Sequence, residues 1–84
     1  MTIQQTILHN LCYTELVYDR INKKLGSAMS RKDIESLIRA ILTDVDSSIE
    51  KIGKNYYVTS RKHGIIVTIN SNTHRVITVD SVQL

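Results

Sequence analysis

NYYVTSRKHGIIVTI, residues 55–69, decides how this chain folds. Two runs of Tyr, Val, Ile and Thr, residue types that fit a pleated surface, flank Arg61, Lys62, His63 and Gly64, a turn composition. They predict antiparallel strands over about 55–60 and 65–69. NSNTH (70–74) is a second turn, and a third strand follows over about 75–80. Alternation predicts that Ile65, Val67, Ile69, Ile77 and Val79 face the interior. Ile66, Thr68, His74, Val76, Thr78 and one of Tyr56 or Tyr57 then face outward. Residues 49–52 read as an extension of the first strand, with Gly53 as a bulge.

Upstream of residue 48 the period is helical. Ile3, Ile7, Leu11, Tyr18, Ile21 and Leu25 recur at three or four residues, which predicts one helix over about 3–25, stopped by Gly26. At 1.5 Å per residue that helix is about 35 Å long, more than a small sheet covers. It therefore needs a bend near Tyr13–Thr14 or a partner for its overhang. Ser30 and Asp33 have capping-box spacing, and Met29 with Ile34 has the spacing of a hydrophobic staple. A second helix is expected over about 31–43, its apolar stripe at Ile34, Leu37, Ile38, Ile41 and Leu42 and an exposed pair at Glu35 and Arg39. The expected fold is a single α+β domain over residues 1–84: a two-helix hairpin packed on a three-stranded antiparallel β-meander, in the order α-α-β-β-β.

Composition bounds the class. Apolar residues are 42% and charged residues 23% of the chain, with no Pro, which suits a folded globule and not a disordered tail. One cysteine excludes an internal disulfide, and the first residues lack the basic start and apolar run of a secretion signal, so a cytoplasmic location is expected. No apolar run is long enough to cross a bilayer. The net charge of +3 sits in the second half, where Lys51, Lys54, Arg61, Lys62 and Arg75 face only Glu50 and Asp80. This balance argues against a DNA mimic, which presents a dense acidic surface.

The stretches GKNYYVTSRKHGIIVTINSNTHRVITVD and CYTELVYDRINKKLG resemble a small bacterial family, a domain of unknown function, from about Leu11 to Val79. The resemblance implies a bacterial or phage-related origin. It carries over no catalytic residues.

Tyr56 or Tyr57 beside Arg61, Lys62, His63, His74, Arg75 and Lys54 makes the candidate binding surface, because rings on a sheet among cations can stack bases while the cations meet phosphates. The bland reading is one core tyrosine and a solvated turn. The sequence reads as a non-catalytic binding module for a protein or a nucleic acid, through the sheet face and the basic hairpin loop, compatible with a phage or mobile-element inhibitor. A homodimer through the sheet edge or the first helix would enlarge a small core. The alternative is a small ribonuclease of the toxin–antitoxin kind, with His63 or His74 as acid or base and Arg75 or Lys62 stabilising a phosphorane. Against it, the two histidines flank a strand roughly 15 Å long. No cofactor or metal is called for: His9 and Cys12 alone make no zinc site, and Cys12 on the apolar stripe reads as a buried, inert thiol.

Overall fold

A computed structural model describes residues 2–82. These residues form three helices, α1 (Ile3–Asn10), α2 (Val17–Leu25) and α3 (Arg31–Thr43), and four strands, β1 (Ser48–Ile52), β2 (Asn55–Ser60), β3 (Ile65–Asn70) and β4 (Val76–Ser81). The strands pair antiparallel in the order β1-β2-β3-β4. All three helices pack on one face of the sheet, so the molecule is α+β in two layers, and the other face is bare.

The predicted helix over 3–25 is two helices. The backbone turns extended at Leu11, and Cys12 forms a single parallel bridge to Arg75 beside β4. Cys12 N–H donates to the His74 carbonyl at 3.0 Å, and Val76 N–H donates to the Cys12 carbonyl at 2.9 Å. The break has a packing reason. Ile7 must bury against α3, whereas Val17 and Ile21 must bury against β4, and one straight rod cannot meet both. The rod whose overhang was to seek a partner is therefore not formed. Cys12 is exposed, not buried: its backbone does the work.

Local signals set the ends of the helices. Thr2 and Gln5 form a reciprocal capping box that opens α1, a pattern present in the sequence but not read from it. Ser30 Oγ accepts from Asp33 N–H at 3.1 Å, as its spacing predicts. Gly26 closes α2 at φ +61, in the left-handed region. Asn22 holds the loop that follows, its side chain bonding both the N–H and the carbonyl of Met29 at 2.9 and 3.0 Å. The Schellman-type stop and this clamp carry the chain from α2 into α3.

In the sheet, residues 48–52 do not prolong the first strand; they form β1, which pairs with β2 across the two-residue loop Gly53–Lys54. Gly53 has φ +61 there, so it serves a hairpin turn and not a bulge. The bulge lies in β4. Thr68 pairs with Thr78 but Ile69 pairs with Val76, which leaves Ile77 as the extra residue. Strict alternation predicts Ile77 inward and Val76 outward; the bulge instead buries Val76 at 2% exposure and leaves Ile77 half-buried. Arg20 Nη1 donates to the Ile77 carbonyl at 3.2 Å. Ile65, Val67, Ile69 and Val79 face the helices as expected.

The Cys12 bridge gives a direct test. Cys12→Ser, at an exposed side chain, is expected to change stability by less than about 0.5 kcal/mol. Cys12→Pro removes the N–H that His74 accepts from, and urea denaturation is expected to show a loss of about 1–3 kcal/mol.

Candidate functional site

The residues singled out from the sequence fall into three places. Arg61, Lys62 and His63 form the β2–β3 turn with Gly64, which takes φ +67. Ser60 is 1% exposed, and its Oγ accepts from the His63 backbone N–H at 3.2 Å and shares a 3.0 Å hydrogen bond with His63 Nδ1. The His63 ring is thus engaged within its own turn. Arg61 and Lys62 border a shallow hollow with Asp44, Asp46, Ser48 and Thr59, so two carboxylates offset the two cations locally.

His74 and Arg75 lie at the other end of β3. Asn70 organises their loop: its Oδ1 accepts from the N–H groups of Asn72 and Thr73 at 2.8 and 2.9 Å, and its carbonyl accepts from His74 N–H at 2.9 Å. His74 takes φ +58, a region in which His, Asn and Asp are enriched among non-glycine residues. Ser71 N–H donates to the Lys54 carbonyl at 2.8 Å, which sets Lys54 beside this loop. Arg75 lines a small hollow with Thr14, Val17 and Arg20 on the helical side of β4. Between the two loops run the six residues of β3, about 20 Å at 3.3 Å per residue. His63 and His74 therefore do not meet as an acid–base pair.

The tyrosines divide between the two faces. Tyr56 sits opposite Ile69 and packs against the core, on the same face as Val58 and Ile49. Tyr57 sits opposite Glu50 and Thr68 and belongs to the bare face. One ring, not two, is available there. Across the middle of that face run Glu50, Tyr57, Thr68 and Thr78, with Thr59 and Ile66 in the row on one side and Ile52, 56% exposed, in the row on the other. Among the described residues no Lys or Arg stands on a strand position of this face; Glu50 and Asp80 do, and Asp80 is paired with Lys24 at 3.1 Å.

A second cluster joins α2, α3 and the segment between α1 and α2. Tyr13 and Tyr18 stack with ring centroids 5.5 Å apart, and the Arg31 guanidinium lies 4.8 Å from the Tyr18 centroid. Arg31 also pairs with Glu15, which holds that carboxyl below its ordinary range. Tyr18 OH donates to Glu35 Oε2 at 2.7 Å. Glu35 and Arg39, expected as a pair along α3, are not joined by an ion pair among the described residues, because Glu35 is turned to Tyr18. The partners lie 16 and 17 residues apart, and no local pattern announces them. Desolvation and then the neighbouring Glu35 charge raise Tyr13 above the ordinary phenol value; desolvation and then the hydrogen bond to Glu35 push Tyr18 up to about 12. Among the described residues no group of three or more His, Cys, Asp or Glu side chains could hold a metal ion, and no helix is long and apolar enough to cross a membrane.

Residues 5–80 match the model of a family described as protein of unknown function (DUF3781), and the chain belongs to that family. No curated protein and no solved structure matches it.

The tyrosine cluster is testable by titration. Folding keeps Tyr18 protonated where the unfolded chain ionises, near the ordinary value of 10, so its contribution to stability is whole below that pH and is lost as pH rises toward about 12. Tyrosinate absorbance is expected to show a late step that Tyr18→Phe diminishes and that Glu35→Gln moves to lower pH.

Proposed function

We propose that this protein is a non-catalytic binding module of a bacterial cytoplasm and that it holds another protein on the bare face of its sheet. The observation that carries this reading is the make-up of that face. A four-stranded sheet with helices on one side only presents the half-buried Tyr57, Thr59, Ile66 and Thr78 around the buried Thr68, with the basic loops at its two ends. A ring and β-branched side chains on a stiff scaffold form a rigid surface that loses little side-chain entropy on binding. Lys54 and His74 at one end, and Arg61, Lys62 and His63 with Asp44 and Asp46 at the other, then act as polar rim contacts that contribute modestly to affinity.

A protein suits the face better than a nucleic acid does. A stacking platform uses successive aromatic rings beside cations that follow the backbone. Here there is one ring, and the charged residues at strand positions of the face are acidic. A ribonuclease reading has to work with His63 alone or His74 alone, since they lie at opposite ends of β3. Self-association through the edge strand β1 is also disfavoured in its central registers. An antiparallel dyad at Glu50 or at Lys51 would set like charges opposite each other, a known device against edge pairing.

The test is a photo-crosslinking residue placed at Ile66 on the face and, as a control, at Ala28 in the α2–α3 loop, in a bacterial host. A protein adduct from position 66 and not from 28 is expected. Binding of that purified protein should weaken by about 2 kcal/mol, roughly thirtyfold, in Tyr57→Asp. Adducts only with nucleic acid, or affinity unchanged in Tyr57→Asp, would refute the reading. Loss of cellular RNA on induction would point to the nuclease instead.

A further inference from the structure

β1 is an outermost strand of the sheet and pairs only with β2. Among the described residues no hydrogen bond outside that ladder reaches the backbone of residues 49–52. We propose that this edge receives an extended segment of another protein as a fifth, antiparallel strand. The segment it selects reads apolar, acidic, basic, apolar from its amino to its carboxyl end.

The direction of the free backbone groups follows from the turn. In a two-residue hairpin the residues that flank the loop exchange both hydrogen bonds, here Ile52 and Asn55, and alternation then turns Glu50 and Ser48 toward β2 as well. Ile49 and Lys51 therefore point their N–H and C=O groups away from the sheet, two donors and two acceptors already in strand geometry. An added strand takes such groups in ladder hydrogen bonds, and pockets or charges for alternate side chains give it specificity. Ile49 and Lys51 place their side chains on the helical side, Glu50 and Ile52 on the bare side. Ile49 borders the core. Ile52 is 56% exposed and, of the large apolar side chains exposed among the described residues, it is the one that lies in a strand. Glu50 and Lys51 are exposed, and among the described residues neither makes an ion pair.

Parity decides what can fill this edge. Residues directly opposed in an antiparallel pair point their backbone groups both toward each other or both away. In a second copy of this chain Ile49 and Lys51 are again the outward residues, so Glu50 of one copy cannot stand opposite Lys51 of the other, and the central registers oppose like charges. A segment whose far edge is free carries no such restriction. It sets an acidic side chain opposite Lys51 and a basic one opposite Glu50 at once, with apolar residues opposite Ile52 and Ile49. Opposed charges and apolar pairs of this kind are what stabilise neighbouring strands. The two charges that keep copies of the chain apart thus specify the partner. An antiparallel segment continues the pattern of the sheet, and it brings the paired side chains directly opposite each other. The edge is separate from the sheet face proposed above, and Thr78, on the opposite edge strand, tells the two apart.

Two end-capped peptides, TVEKVT and its charge-exchanged form TVKEVT, titrated into the full chain and followed by amide chemical shifts and hydrogen exchange, test this. TVEKVT is expected to saturate with shifts centred on residues 49–52 and to bind at least about fivefold more tightly than TVKEVT, the combined effect of two cross-strand charge pairs. At saturation the Ile49 and Lys51 amides should exchange at least about fivefold more slowly, and the Glu50 amide, already bonded within the hairpin, should not change. In the double variant Glu50→Lys with Lys51→Glu, at two exposed positions, the preference between the peptides should reverse. Thr78→Arg, on the sheet face, should leave the affinity for TVEKVT unchanged. Absence of saturation, equal affinity for the two peptides, a preference for TVKEVT, unslowed exchange at Ile49 and Lys51, or lost affinity in Thr78→Arg would each overturn the proposal.

Discussion

Two backbone hydrogen bonds at Cys12, given to His74 and received from Val76, constrain the rest of the structure. They fix one residue in the extended state in the middle of an otherwise helical run, and so divide it into α1 and α2. Each helix can then lie where its own apolar stripe is needed: α1 on α3, and α2 on β4. The same bonds satisfy backbone groups at the β4 edge that would otherwise be left to water or to another chain. The bridge covers only the start of the β4 edge; at the opposite edge of the sheet, β1 carries Glu50 and Lys51.

The bulge at Ile77 is the second adjustment, and it acts with the first. By inserting one residue into β4 it turns Val76 to the core just after the bridge, while Val79 keeps its place opposite Val67. A carbonyl that the irregular pairing leaves out is taken by Arg20 from α2, so the defect in the ladder becomes a tie between the layers. Among the described residues no buried side-chain nitrogen or oxygen lacks a partner. Bridge, bulge and Arg20 together hold all three helices to one side, and the uncovered side is what makes the sheet face available.

The helical layer has its own internal competition. Glu35 has two possible partners, Arg39 along the same helix and Tyr18 across the hairpin, and the structure resolves this in favour of Tyr18. An exposed ion pair on one helix contributes only about 0.3–0.5 kcal/mol. A short bond from a phenol that is also stacked on Tyr13 and covered by Arg31 ties loop, α2 and α3 at once. What is lost along α3 is thus gained between elements.

Much of the fold is legible in the residues in order. The hairpin about 61–64, the Ser30 cap, the Gly26 stop and the inward faces of β3 follow from propensity, turn chemistry and periodicity, all of which act within a few residues. The strand at 48–52 was half legible: its composition is strand-like, but whether Gly53 kinks a strand or turns a hairpin depends on what lies beside it. The break at residues 11–16 was not legible, because Leu11 and Leu16 continue a helical stripe and only docking on β4 makes an extended Cys12 the better state. Nor was the choice between Tyr56 and Tyr57, since a one-residue change of register exchanges the two faces and register is set by the partner strands. Of the candidate surface, the residue types were readable but their grouping was not. By itself the sequence determined the elements that local hydrogen bonding and periodicity specify; the tertiary structure alone decided which cations, rings and carboxylates share a surface. Those neighbours are brought together by burial and by backbone pairing between segments far apart in the chain, and such pairings leave no mark on local sequence.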